Sequence, residues 1–121
     1  MPRTAVYFYR MSDGSVPMLD WLTELPKKAQ QRCMVRIERL RELGHELRRP
    51  EADFLRDGIY ELRASFQGTH HRLLYFFHGR AAVLSHGVTK ERAVPPLEIE
   101  RAIRRKLKVA ADPAGHIHED S

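Results

Sequence analysis

The stretch IYELRASFQGTHHRLLYFF, residues 59–77, decides the fold. Two runs of aromatic, leucine and other strand-forming residues flank the turn former QG, which is the pattern of an antiparallel hairpin. A loop of two residues (67 and 68) and a loop of four (66–69) give the same register. Either sets Tyr60 against Tyr75, Leu62 against Leu73 and Arg63 against Arg72. Strand side chains alternate, so Tyr60, Leu62, Leu73 and Tyr75 share one face while Glu61, Arg63, Arg72 and Leu74 share the other. The first set packs on helices and the second is left on the open face. Two guanidiniums directly opposed across a strand pair repel one another, so an anion belongs between them. Glu61 or an acidic residue from elsewhere can neutralise them, or the side chains can splay into water. Alternatively the anion is a phosphate, which arginine grips bidentately and whose transition-state charge it stabilises.

Outward from the hairpin, Ala81 to His86 forms a third strand after a GR turn, and the three strands make an antiparallel meander. Upstream, AVYFYRM (residues 5–11) is a strand ending at SDGS. Pro17 opens a helix carrying Met18, Leu19, Leu22 and Leu25 at helical spacing, and Pro26 interrupts it. From Lys27 to Leu43, Ala29, Cys33, Ile37 and Leu40 repeat every three or four residues, with Gly44 as the C-terminal cap. Arg32, Arg36, Arg39 and Arg41 fall mainly on the other side of this helix, interleaved with Glu38 and Glu42. Residues 44–57 read as a polar connector in which ADFL forms at most a short turn. Pro96 opens the last helix, with Ile99, Ala102, Ile103 and Leu107 on one stripe. The expectation is a single α+β domain over residues 1–109, order β-α-α-β-β-β-α, with two N-terminal helices and one C-terminal helix grouped against a small antiparallel-rich sheet. Residues 110–121 have little to bury and read as a disordered tail.

Composition narrows the function classes. The chain has 121 residues, 42% of them apolar, with 21 Lys and Arg against 16 Asp and Glu, a formal charge of +5. One core fits that length, and the charge favours an acidic partner such as nucleic acid or an acidic protein. A single cysteine, Cys33, excludes an internal disulfide and a cysteine zinc cage, and its place in a helix stripe makes it core. No segment approaches the run of about 20 apolar residues that spans a bilayer, and no signal peptide is visible. A cytoplasmic protein with no membrane partner is expected. His70, His71 and His78 lie at or beside turns and His116 and His118 in the tail, none with a third ligand at metal-binding spacing. No phosphate-binding glycine loop or nucleophile elbow is present, so no cofactor is expected.

His86, with Gly87 and VTKER after it, is a candidate proton carrier for RNA cleavage. Its face depends on the HGR turn: a three-residue loop sets it opposite Arg72, a two-residue loop turns it to the core. Lys90 and Arg92 are candidate phosphate contacts.

LRDGIYELR, HRLLYFFHGRAAVLSHGVTK and PPLEIERAIRRK together resemble the RelE/HigB superfamily of type II toxin-antitoxin toxins, in its phage-derived HigB-like branch. The resemblance extends from the first strand to the last helix. It implies a RelE-like fold and a metal-independent, ribosome-dependent endoribonuclease that cuts mRNA. It also implies silencing by an antitoxin, commonly a helix-turn-helix protein from the adjacent gene. The family's catalytic arginines fall on Arg63 and Arg72, its histidine on His86 and its basic loop position on Lys90. Val88, Glu91 and Val94 depart from the family pattern, where an aromatic, a second lysine and another basic residue are usual. The mechanism implied is attack of the ribose 2′-OH on the adjacent phosphate. The alternatives are a RelE-fold module that binds antitoxin or RNA without cleaving it, and a DNA-binding regulator, for which Pro26 replaces the usual helix-turn-helix turn.

Overall fold

In a computed structural model that describes residues 3–89 and 93–119, a six-stranded sheet of order β2-β3-β4-β5-β1-β6 is covered by helices on both faces. In chain order the elements are β1 (Val6–Tyr9), α1 (Pro17–Glu24), α2 (Lys27–Leu43), a 3-10 turn (Gly44–Glu46), β2 (Ala52–Arg56), β3 (Ile59–Phe66), β4 (Thr69–His78), β5 (Ala81–Thr89), α3 (Pro96–Ala111), α4 (Pro113–His116) and β6 (Ile117–His118). The α+β class stands. The order and the number of elements differ from the expectation.

The hairpin forms as its residues dictate. Leu62 pairs with Leu73, Tyr60 with Tyr75 and Arg63 with Arg72, and Phe66 closes on Thr69 around a two-residue turn. Both turn residues take positive φ, 50° at Gln67 and 79° at Gly68, the geometry that matches the right-handed twist of the flanking strands. Met18, Leu22, Cys33, Ile37 and Leu40 from α1 and α2 pack on Leu62, Leu73, Tyr75 and Leu84.

Three expectations are corrected. First, the face bearing Arg63 and Arg72 is not open throughout. Ile59, Leu74, Phe76, Val83 and Val88 make it apolar away from the arginines, and α3 covers them with Ile99, Ala102 and Val109. A sheet apolar on both faces needs cover on both, so the helices are not grouped on one side. Leu107, placed on the α3 stripe by spacing, is exposed and Val109 is buried instead. Second, residues 52–56, expected within a connector, are an edge strand, with Asp53 opposite Glu61 and Phe54 opposite Tyr60. The first strand, whose partner the sequence left open, runs parallel to its neighbour β5, with Phe8 opposite Leu84, in a sheet otherwise antiparallel. Third, the tail from residue 110 is ordered through residue 119. After α3 ends, α4 turns the chain back and β6 pairs antiparallel with β1, Phe8 opposite His118. Arg10 pins this return by donating from Nη2 to the Ala114 carbonyl at 2.6 Å, and Tyr9 stacks on His116.

Gly87 in β5 lies beneath Trp21 of α1. A methyl group there would fall 2.0 Å from the indole, so only glycine lets α1 settle this close. Among the described residues, no helix is long and apolar enough to cross a membrane.

Candidate active site

Beyond Arg63, whose backbone N–H still donates to the Glu51 carbonyl at 2.8 Å, β3 loses its outer neighbour because β2 begins at Ala52. Its free edge is covered by arginines from α2. Arg36 Nε donates to the Arg63 carbonyl at 2.7 Å, and Arg32 Nη1 donates to that of Ser65 at 3.2 Å. Between this helix and the hairpin lies a cleft of about 650 Å³, lined by Arg32, Val35 and Arg36 on one side and by Arg63, Arg72, His70 and His71 on the other.

The Arg63–Arg72 pair sits on the cleft wall, and its mutual repulsion is answered by a carboxylate. Glu61, 1% exposed, places Oε2 at 2.7 Å from Arg63 Nε and 2.5 Å from Arg72 Nη1. Asp53, across the ladder from Glu61, accepts from Arg63 Nη2 at 2.9 Å and from Arg49 Nη2 at 3.0 Å. The Arg49 guanidinium beside Asp53 holds that carboxyl below its ordinary range, with the Phe54 N–H and Arg63 adding to the effect. The network thus contains three cations (Arg49, Arg63, Arg72) and two anions (Glu61, Asp53), an excess of one positive charge. Neutralisation by Glu61, one of the two explanations open in the sequence, is present in the free protein, and Asp53 joins it. The cleft nevertheless remains open beside the pair. Among the described residues Arg63 Nη1 has no hydrogen-bond partner, and Arg72 Nε is buried without an acceptor.

A second network flanks the first. Glu51 accepts from Arg39 Nε at 2.9 Å and lies 3.4 Å from Arg36 Nη1; the Arg39 hydrogen bond comes first among the causes that lower the carboxyl's pKa. Arg32 pairs with no carboxylate among the described residues.

His86 stands elsewhere. The β4–β5 loop has two residues, yet a bulge that leaves Ser85 of β5 without a partner sets His86 opposite Leu74, with Val88 opposite Arg72. The histidine therefore lies on the arginines' face, one non-adjacent pair along, but α3 covers it. Its Nε2 is 3.1 Å from Glu98 and its Nδ1 is 2.8 Å from Ser85 Oγ. A carboxylate only accepts, so Nε2 carries the proton and Nδ1 accepts from the hydroxyl. Burial, reinforced by Arg105, lowers its pKa to about 4, while Glu98 pulls the other way. Both ring nitrogens are occupied and the side chain is buried, so His86, whose face the sequence left open, does not line the cleft beside the pair. Lys90 and Arg92 lie outside the described residues.

The histidines at the cleft are His70 and His71, whose sequence positions mark them only as neighbours of a turn. His71 points to the α1 side, edge-on to Trp21 and 3.3 Å from Thr89 Oγ1. Burial, and then the charge of His70, lowers its pKa. His70 is exposed, shares the face of Arg72 by strand alternation, and meets Ser65 Oγ at 2.9 Å. The available signal was the register itself, since position 70 alternates onto the arginine face as surely as position 72. Among the described residues no three His, Cys, Asp or Glu side chains are grouped to hold a metal ion.

An arginine-lined cleft with an exposed histidine can grip an oxyanion and exchange a proton beside it. Comparison with known families supplies the context. Residues 20–107 match the family model "Phage derived protein Gp49-like (DUF891)", while no curated protein matches significantly. That match runs from within α1 through most of α3 and takes in the entire cleft: the chain belongs to the Gp49-like family of phage-derived proteins, a toxin-like family of the RelE/HigB type.

Proposed function

We propose that this protein is the toxin of a type II toxin-antitoxin system, an endoribonuclease that cuts mRNA on the ribosome by 2′-OH transphosphorylation. The observation that carries the reading is the cross-strand Arg63–Arg72 pair on the wall of an open cleft whose opposite wall adds Arg32 and Arg36. A phosphodiester entering the cleft accepts hydrogen bonds from Arg63 Nη1 and from the rim of Arg72, with their guanidiniums held in place by Glu61 and Asp53. Such preorganisation costs nothing at the moment of reaction. As the 2′-oxygen attacks, charge grows on the non-bridging oxygens and the two arginines stabilise it. His70 takes the hydroxyl proton or delivers one to the leaving 5′-oxygen, giving a 2′,3′-cyclic phosphate and a 5′-hydroxyl. The partner that silences it is an antitoxin, a helix-turn-helix protein encoded alongside.

The test is expression without the partner gene, with message integrity followed by primer extension. Parent protein produces new 5′ ends and stops growth, and Arg63→Ala and Arg72→Ala each abolish both. If the parent leaves messages intact, the nuclease reading is lost.

One observation favours a second reading, a fold of this type that binds RNA or antitoxin without cutting. Glu61 already occupies the space between the arginines, so the pair enters the complex partly neutralised. That reading expects RNA retention without cleaved product.

A further inference from the structure

The cleft does not end at the arginine pair. Along α2, Lys28, Gln31, Arg32, Val35 and Arg36 recur at intervals of three, one, three and one residues, which puts them on one stripe of the helix. The stripe lies opposite the core positions Ala29, Cys33, Ile37 and Leu40, so none of it is needed for packing. It faces the end of the hairpin. A second hollow of about 350 Å³ lies there, lined by Lys28, Gln31, Arg32, Val35 and Phe66. Arg32 and Val35 line both hollows, so the two join into one trough that starts at Arg63 and Arg72 and ends at Lys28.

The trough's chemistry is uneven in an informative way. At the arginine end Glu61 and Asp53 offset two of the three cations. At the far end Lys28 and Arg32 have no carboxylate partner among the described residues, and no acidic side chain lines either hollow. Between them stand two apolar surfaces that the core does not use. Val35 is 56% exposed, and Phe66, last residue of β3, is half-buried with the Arg32 guanidinium 5.8 Å from its ring centre. An exposed valine and a half-buried phenylalanine amid cations without carboxylate partners suit a ligand that alternates flat apolar faces with negative charge. Single-stranded nucleic acid has that character: every base offers a face to an aromatic ring, and every linkage offers a charge to lysine or arginine.

We propose that the hollow formed by Phe66, Val35, Lys28 and Arg32 is a subsite for a nucleotide flanking the one gripped by Arg63 and Arg72, its base resting on Phe66 and Val35 and its phosphate held by Lys28 and Arg32. This rests on the nuclease reading for the substrate class and adds a binding contact away from the reacting bond. The subsite's contribution is affinity and alignment of the strand through the cleft.

The test is fluorescence anisotropy with a labelled single-stranded RNA of about ten nucleotides, paired with cleavage of the same message in translating ribosomes. Val35→Glu changes an exposed position and leaves the fold intact; it places a negative charge in the hollow and is expected to weaken binding about tenfold. Phe66→Ala is expected to do the same, and Phe66→Tyr to restore the parent affinity, which separates loss of a stacking surface from loss of folding. Lys28→Ala is expected to reduce the slope of log affinity against log salt by about 0.7, the signature of one phosphate contact on a single strand. Parental affinity in Val35→Glu and Phe66→Ala, with binding lost in Arg63→Ala, overturns the subsite and leaves the nuclease reading standing. Binding that depends on Phe66 and Val35 in a protein that cuts no message overturns the nuclease reading and leaves the subsite. A parent protein that ignores RNA but binds a polyglutamate peptide through these residues overturns both.

Discussion

Arg63 stands directly opposite Arg72 on the β3–β4 ladder, and both donate to the same oxygen of Glu61. The arrangement is a buried anion held between two partly exposed cations, so the acid depends on the arginines as much as they on it. A carboxylate sealed from water is tolerated because its Oε2 accepts from two guanidiniums at once.

Glu61→Gln removes that anion and leaves two guanidiniums facing each other. The unfolding free energy in urea should fall by about 3 kcal/mol, the scale for breaking a buried ion pair from one side. Asp53→Asn, at a more exposed carboxylate whose partners Arg49 and Arg63 are themselves partly exposed, should fall by less than half as much. Equal losses for the two variants would contradict the central place given to Glu61.

Gly87→Ala drives a methyl group into the ring of Trp21. Overpacking of this kind destabilises by about 1–3 kcal/mol. Trp21 is the only tryptophan, so its displacement reads out directly as a red shift of native fluorescence. An unshifted emission maximum with parental stability would show that α1 moves away freely.

The buried histidine gives the fold an acid limit. Burial lowers the His86 pKa to about 4, whereas the unfolded chain titrates near 6.5. The unfolded state therefore binds the proton first, and the stability present above about pH 6.5 is lost as pH falls towards 4, by on the order of 3 kcal/mol. His71, shifted the same way, adds to the slope. His86→Asn should flatten the profile of midpoint against pH across that window, and a profile as steep as the parent's would place the effect elsewhere.

Cys33 is buried in the α2 core, and burial pushes its thiol up to about 12. At pH 8 a thiol so protonated attacks slowly. Ellman's reagent should report no fast-reacting group in native protein and one after denaturation. A fast native reaction would mean that α2 opens readily from the sheet.

The hairpin was legible because its register follows from strict alternation and a two-residue turn, both local properties of residues 59–77. The same arithmetic identified the arginine pair and its shared face with Glu61. What escaped was set by partners remote in sequence. Residues 52–56 read as polar because an edge strand meets water, and their Asp53 acquires meaning only beside Arg63. The placement of His86 turned on a bulge that leaves no mark in the residue pattern. The return of the tail rests on Arg10 reaching Ala114 and on Tyr9 stacking with His116, contacts more than a hundred positions apart that no hydrophobic period announces. The cover that α3 gives the second face was visible in principle, since Leu74, Phe76 and Val83 all alternate onto it.

The pairing of β1 on both sides has a consequence for how the molecule is made. Its neighbours are β5 and β6, residues 81–89 and 117–118, so during synthesis the first strand waits without a hydrogen-bonding partner while the central meander assembles around its own turns. Until then VYFY is a naked template of strand formers, open to any extended chain nearby. Completion of the sheet around β1 therefore has to wait for residues more than seventy positions downstream.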